Sequence, residues 1–165
     1  MFNIGDKVVY PMHGAGIIES IEEKEILGDK QKYYVMRMPV GDMKVMIPMT
    51  QVDNIGLRQV VDEQTITEVI DRLANSATDL SSNWNRRYRA NLDKMKSGDI
   101  HDIADVVRCL ALRDREKGLS TGESKMLDNA RQILISELVL VKGMDESQAT
   151  GLLDKTIFSG SKASG

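Results

Sequence analysis

The feature that most constrains this chain is a change in the spacing of its apolar residues near residue 60. Before that point, short runs rich in β-branched residues end at glycine or proline, and GAGIIESIEEKEI alternates apolar with polar positions as a half-wet strand does. After Asp62, apolar residues recur at intervals of three and four, which is typical of amphipathic helices. A single change of period predicts an α+β chain, with a small N-terminal β-barrel or sheet followed by a compact five-helix domain.

The same pattern predicts where the domains begin and end. Four or five short strands with tight turns are expected within residues 1–55, and the helices within residues 62–158. Pro39 and Pro48 are expected at strand ends or edges, because proline has no N–H to donate to a neighbouring strand. The segment SGSKASG at residues 159–165 is of low complexity, so it is expected to form a disordered tail.

Capping residues mark the helix ends. Asn83 is a predicted N-cap and Gly98 a predicted C′ residue of one helix, while Ser120 and Glu123 form a predicted capping box for another. Apolar periodicity also predicts the buried helix faces. The predicted core positions are Ile66, Val69, Ile70 and Leu73, then Ile100, Ile103, Ala104, Val107, Leu110 and Ala111, and finally Ala130, Ile133, Leu134, Leu138 and Val141.

Several classes of function are disfavoured by what the sequence lacks. Cys109 is the only cysteine, and the two histidines have no ligand spacing around them, so neither a disulfide nor a metal site is expected. The glycines of Gly14–Gly16 lack the later residues of a nucleotide-binding loop. No apolar run approaches the roughly 18 residues of a membrane span, and no signal peptide is evident. We therefore expect a cytoplasmic protein that is not an enzyme, with no cofactor, no small-molecule substrate and no membrane partner.

Charge is unevenly distributed along the chain. The formal net charge is −3, which by itself argues against nucleic-acid binding. Between Trp84 and Lys96, however, five basic residues accompany a single acidic one. Any affinity for phosphate is therefore expected in the helical part of the chain.

Trp84 is the single tryptophan, and its place in the sequence allows two interpretations. It falls at helical spacing with Tyr88 and Leu92, which is typical of a core residue. Alternatively, a tryptophan in the first helical turn projects beyond the helix end, where its ring can stack on a nucleobase. Basic side chains that would neutralise phosphates follow it, and these are Arg86, Arg87 and Arg89.

Two further sets of residues suggest contact surfaces. Lys125 lies one turn into the helix that Ser120 opens, where a helix N-terminus attracts phosphate, whereas the basic residues around it fit a solvated face with ion pairs. Methionines crowd the last two predicted strands, and alternation prevents all of them from facing a core. An exposed methionine surface beside a free sheet edge suggests docking of a protein partner.

Five segments of the chain stand out by their order and spacing: GDKVVYPMHGAGIIESIE, MKVMIP, NIGLRQVV, NWNRRYRANLDKMKSGDI and GLSTGESKMLDNARQILISELVLV. Together they resemble the CarD/CdnL family of bacterial RNA polymerase-binding transcription regulators. The resemblance runs from about Phe2 to Phe158. The N-terminal part is also similar to the polymerase-interacting module of the transcription-repair coupling factor, although this chain has no P-loop for that factor's motor.

The resemblance implies a Tudor-like β-domain that binds the RNA polymerase β subunit. The residues matched to family polymerase contacts are Lys24, Met46 and Pro48. It also implies a helical domain that contacts promoter DNA, largely independently of sequence, at the upstream edge of the transcription bubble. There Trp84 would wedge into the minor groove and stabilise the open complex. Backbone contacts would come from Arg86, Arg87 and Arg89, with Lys125 in a second contact region.

Two other classes of function stay open at this point. The helical domain could serve as a protein-interaction adaptor without direct DNA contact, with the basic helix as a docking face and Trp84 in the core. It could also bind structured RNA. The exposure of Trp84 distinguishes the adaptor from the DNA wedge.

Overall fold

A computed structural model describes residues 2–75 and 83–163 of the chain. Its N-terminal part is a five-stranded sheet in the order β4-β3-β2-β1-β5, with each neighbouring pair antiparallel. The strands are β1 (Lys7–Tyr10), β2 (Gly14–Ile26), β3 (Asp29–Met38), β4 (Met43–Pro48) and β5 (Arg58–Gln59). A bulge between Ile18 and Ser20 shifts the register of β2 against β3 and helps the sheet to bend around its own core.

Helices make up the rest of the described chain. They are α1 (Val52–Ile55), α2 (Glu63–Asn75), α3 (Trp84–Ser97), α4 (Ile100–Lys117), α5 (Thr121–Lys142) and α6 (Glu146–Ala163). The prediction of a β-domain followed by five helices is confirmed, with the one-turn α1 as an addition in the connection. Within the described ranges, no helix is both long enough and apolar enough to cross a lipid bilayer.

Two boundaries differ from the prediction. The sheet extends beyond residue 55, because Arg58 and Gln59 pair with Val9 and Val8 of β1. A two-residue strand is too short to give a periodic signal in the sequence. At the other end, α6 continues to Ala163 where a disordered tail was expected from residue 159, and no proline stands in that segment to stop the helix.

The helix ends follow the capping residues closely. The Asn83 side chain accepts a hydrogen bond from the Arg86 N–H at 3.1 Å, and Gly98 ends α3 in the left-handed conformation. Ser120 Oγ accepts a hydrogen bond from the Glu123 N–H at 3.2 Å. The three predicted caps are therefore confirmed.

The predicted helical core is largely confirmed. All predicted core positions are buried except two, Ile70 and Val141, which are partly buried at its margin. The β-domain has a smaller core of its own, formed by Val8, Ile18, Tyr34, Met36, Met38, Ile47 and Leu57. A core this small gives limited stability by itself, so the contact with the helices matters for the fold.

Hydrogen bonds fasten the two domains together. Ser136 Oγ on α5 accepts a hydrogen bond from the buried Ala15 N–H of β2 at 2.7 Å. Arg58 forms a bidentate ion pair with the buried Glu137, with both N–O distances at 2.9 Å. Gly14 has no room for a side chain, since a Cβ there would lie 2.9 Å from Ser136 Oγ. The domains thus meet through close, specific contacts rather than a loose linker.

The far ends of β2 and β3 form an arm that extends away from this junction. Residues 21–32 are all exposed. The turn at the tip places Leu27 at φ 53° and Gly28 at φ 84°, which matches a type I′ turn. Leu27 is 99% exposed, so this arm ends in an unburied leucine held in a left-handed conformation.

Candidate functional site

Trp84 lies at the surface, at the first residue of α3. Its side chain is 41% exposed, and its ring stacks on Tyr88 with 4.9 Å between centroids and an interplanar angle of 15°. The indole Nε1–H donates a hydrogen bond to Ser120 Oγ at 3.0 Å. The indole is therefore outside the buried core, yet it is held both by a stacking partner and by a hydrogen bond.

Ser120 connects the indole to the start of α5. As the N-cap of that helix, its hydroxyl oxygen accepts from the Glu123 amide and also from the Trp84 ring. The Glu123 carboxylate stands 3.5 Å from the same hydroxyl. One side chain thus fixes both a helix terminus and the orientation of the exposed ring.

Arg87 occupies a different place from the one expected. It is only 4% exposed and donates to both carboxylate oxygens of Glu123, at 2.7 and 3.0 Å. The Arg87 guanidinium holds the pKa of Glu123 below its ordinary value, although burial of the carboxylate acts in the opposite direction. We expected Arg87 to hold the DNA backbone, but its guanidinium is enclosed between α3 and α5, so it braces the site from inside.

The inner face of α3 explains this placement. Its buried residues are Arg87, Asn91 and Met95, each four positions after the last. Tyr88 and Leu92 lie beside that row and are partly buried, which leaves Trp84 at the margin. Apolar periodicity predicted instead that the row of Trp84, Tyr88 and Leu92 faces the core. It missed the true buried row because arginine and asparagine are polar, and both find partners inside the protein.

The other predicted DNA contacts are at the surface. Arg86 and Arg89 are exposed on α3, next to the ring pair of Trp84 and Tyr88 in sequence. Lys125 is exposed on α5 and shares a cleft with Tyr88 and Leu92. The structure therefore brings Lys125 to the same corner as the aromatic pair, although about forty residues separate them in sequence.

The basic residues around Lys125 are engaged more deeply than the sequence indicated. Arg131 pairs with Asp154 of α6 at 2.7 Å, and Arg115 lies over the ring of Phe158 at 5.3 Å. These contacts link helices to one another. They are not the local pairs of a solvated face.

In the β-domain, the three predicted polymerase contacts share one face of the sheet. Pro48 lies opposite Tyr33, which in turn lies opposite Glu22, and Lys24 follows two positions later on that same face. Met46 precedes Pro48 by two positions and is 36% exposed. The face includes residues of β4, which is an edge strand of the sheet. The outer edge of β4 has no partner strand among the described residues.

Ser120, Glu123 and Tyr88 are the site residues that sequence reasoning missed. The capping box did single out Ser120 and Glu123, but only as local features of a helix terminus. A buried acid opposite a buried arginine is recognisable from the sequence only when the two helices are known to be neighbours.

Two known protein-family domains match the chain. Residues 2–61 match the CarD-like/TRCF RID domain, and residues 68–154 match the CarD C-terminal domain. The chain is 48% identical over 148 residues to the Bacillus subtilis (strain 168) protein named "Putative transcription factor YdeB", which covers 90% of this chain and 97% of that protein. The solution NMR structure of the 72-residue N-terminal domain of Myxococcus xanthus CarD is 36% identical, covering 36% of this chain and 79% of that one, with a TM-score of 0.32.

Proposed function

Because the chain belongs to the CarD family, we propose that it is a transcription regulator that binds the RNA polymerase β subunit and stabilises the promoter open complex. In this proposal the β-domain tethers the protein to the polymerase, and the helical domain contacts DNA at the upstream edge of the bubble. The observation that carries it is Trp84, an aromatic ring at a helix start that is partly exposed, braced and flanked by exposed arginines.

The braced indole suits insertion at a base step. A ring that is already oriented loses little conformational entropy when it stacks, because Tyr88 and Ser120 restrict it beforehand. Wedges between base steps unstack them and kink the duplex at the minor groove. An indole lodged at the junction of duplex and melted strands would oppose re-pairing and so slow the collapse of the bubble.

Exposed cations would hold the backbone on either side. Arg86 and Arg89 can neutralise phosphates and release counterions, and Lys125 offers a third positive charge from α5. We leave Arg87 out of this contact set, since its charge is taken up by Glu123. Backbone contacts of this kind carry little sequence information, which fits a factor that acts at many promoters.

The polymerase contact would use the face formed by Lys24, Met46 and Pro48. Met46 offers an adaptable apolar contact and Lys24 a positive charge, while the edge of β4 offers free backbone groups. With a net charge of −3, the chain has little general attraction to DNA. Binding to polymerase would compensate by raising the effective concentration of promoter DNA near Trp84.

The test is the lifetime of the open complex with Trp84→Ala. We expect a loss of about 1–3 kcal/mol, the size of one base–aromatic stack, measured as faster dissociation after a competitor is added. Lys155→Ala is a surface control, because this lysine is exposed on α6, a helix that carries none of the residues assigned to the DNA contact. Polymerase binding by each variant is measured in parallel.

Two outcomes separate the proposal from its alternative. If Trp84→Ala shortens the lifetime while polymerase binding is retained, the wedge is supported. If the lifetime equals that of the unmodified protein and polymerase binding persists, the helical domain is a protein adaptor and the wedge is wrong.

A further inference from the structure

We propose that a cleft beside Trp84 receives one unstacked nucleobase from the melted DNA. This inference rests on the function proposed above and adds to it a second contact, distinct from the wedge. The wedge requires only a protruding ring, whereas the second contact requires a pocket that can hold a base.

The cleft lies between α3, α5 and the turn that joins β1 to β2. Its volume is about 250 Å³. That is smaller than the roughly 300–1,000 Å³ of pockets for drug-sized ligands, which suits a single flat ring system. The residues that line it are Met12, Tyr88, Leu92, Met95, Gly122, Lys125, Met126 and Asn129.

The lining has the chemistry that recognises a single-stranded base. Methionine, leucine and tyrosine side chains form the walls, and an aromatic ring with apolar neighbours is the usual stacking surface for an unpaired base. Asn129 can both donate to and accept from a base edge. Of the described residues that line the cleft, Lys125 alone carries a charge, and an ammonium there suits the phosphate that accompanies an extruded base.

The position of the cleft indicates a nucleotide rather than another flat ligand. Tyr88 both lines the cleft and stacks on Trp84, so a base unstacked by the indole would lie next to the opening. Within residues 2–75 and 83–163, no acidic residue lines the cleft, and the exposed Arg86 and Arg89 add positive charge on α3. This charge distribution complements a polyanionic strand and disfavours an acidic peptide.

Met12 supplies the part of the lining that comes from the β-domain. It has φ 73°, a left-handed conformation that a residue with a Cβ rarely adopts and that tends to persist at functional sites. Its thioether reaches the helical domain only because the two domains are docked. The cleft is therefore complete only in the whole chain.

Gly122 offers a way to fill the cleft without disturbing the fold. A Cβ at this position would lie 3.5 Å from Tyr88 Cε2 and 4.0 Å from Trp84 Cζ2, which is ordinary van der Waals contact. Gly122→Ala should therefore fold and gain helix stability, and Gly122→Leu should occupy the space of the base. Gly151→Ala is the matched control, since a Cβ at that helical position has nothing within 4 Å.

The experiment uses the full chain with polymerase and forked promoter DNA that carries 2-aminopurine at successive positions across the junction. With the unmodified protein, we expect one position to show a protein-dependent change in fluorescence. Gly122→Leu should abolish that change and weaken fork binding about tenfold, which is within the range for one lost base stack. Gly122→Ala should have a smaller effect, and Gly151→Ala none.

An abasic site at the responsive position provides the decisive comparison. If the base enters the cleft, the abasic fork should weaken binding of the unmodified protein but not weaken binding of Gly122→Leu any further. Additive losses, or Gly122→Leu binding as well as the unmodified protein, would overturn the cleft. This failure is distinct from failure of the wedge, because the Trp84→Ala lifetime is measured separately and would still be shortened.

Discussion

The two ends of this molecule carry their exposed apolar residues in opposite ways. On the β2–β3 arm, Leu27 is almost fully exposed at a turn and belongs to none of the hydrophobic clusters of the described residues. At the start of α3, Trp84 is also exposed, but Ser120 bonds its indole and Tyr88 stacks on its ring. One end leaves its apolar group unsupported, and the other holds it in a single orientation.

This difference indicates what each end can do on binding. A side chain that is held in place beforehand loses little entropy when a partner arrives, which favours a defined geometry such as insertion between bases. An unsupported side chain adapts to its partner but must be ordered at the moment of binding. The supporting contacts at the Trp84 end depend on buried charges, so that end is also where substitution should be most damaging.

The largest effect should come from removing the carboxylate under the tryptophan. Glu123→Ala leaves the Arg87 guanidinium buried without its main partner, and truncating one member of a buried ion pair typically destabilises a protein by about 3–5 kcal/mol. Urea unfolding measures the loss. Glu116→Ala, an exposed acid on α4, should change stability by less than about 0.5 kcal/mol. Equal losses in the two variants would contradict the role given to Glu123.

Lowering the pH should also destabilise the unmodified protein through the ion pair between Arg87 and Glu123. Arg87 lowers the pKa of Glu123, so the folded state holds this carboxylate ionised more firmly than the unfolded state does. The resulting stability is present above the ordinary glutamate value and is lost as the pH falls through the lowered one. The unfolding free energy of the unmodified protein should therefore fall more steeply below about pH 4.5 than that of Glu123→Gln. Parallel curves would show that this pair does not contribute.

At the arm, substitution should stabilise the protein. Leu27 holds a left-handed conformation with nothing to pack on, and asparagine before Gly28 is the preferred residue of a type I′ turn. Leu27→Asn should raise the unfolding free energy by about 1 kcal/mol, measurable as a higher Tm, with the tryptophan fluorescence unchanged. Lys30→Asn, at an exposed neighbour without a positive φ, should bring no such gain. A lower Tm for Leu27→Asn would show that the leucine has a packing role.

Removing the Ser120 side chain should change the stability of the protein least, but it should make the Trp84 ring clearly more mobile. Ser120→Gly keeps an acceptable N-cap for α5 at a cost of a few tenths of a kcal/mol, but it removes the acceptor for the indole N–H. Fluorescence anisotropy should report a more mobile ring, and the open-complex lifetime should shorten. Ser120→Thr restores the hydroxyl and should restore both. An indole as ordered in Ser120→Gly as in the unmodified protein would leave Tyr88 as the sole support.

The sequence predicted features that depend on neighbours along the chain. Caps such as Asn83 and Ser120, and the buried rows of α4 and α5, involve residues within a few positions of one another, so periodicity and capping preferences suffice. The short β5 escaped prediction because it has too few residues to show alternation. Its pairing depends on β1, about fifty residues earlier.

The candidate site was predicted less completely, because its supporting contacts are long-range. Arg87 and Glu123 are 36 positions apart and meet only when α3 packs on α5. Read locally, each is an ordinary surface charge, and the sequence therefore placed Arg87 among the DNA contacts. The exposure of Trp84 likewise depends on which face of α3 packs against the core. Two polar residues, Arg87 and Asn91, lie on that buried face.

The contacts that join β2 to α5 have a consequence for where the protein can act. Ala15 and Ser136 share a buried hydrogen bond, and Arg58 grips Glu137, so the β4 face and the indole stand a set span apart. In the function proposed above, such a rigid body would hold the polymerase-binding face and the DNA-binding face at a fixed separation. We expect it to select complexes by dimension, because a fork displaced from that span would be out of reach even if every base were identical.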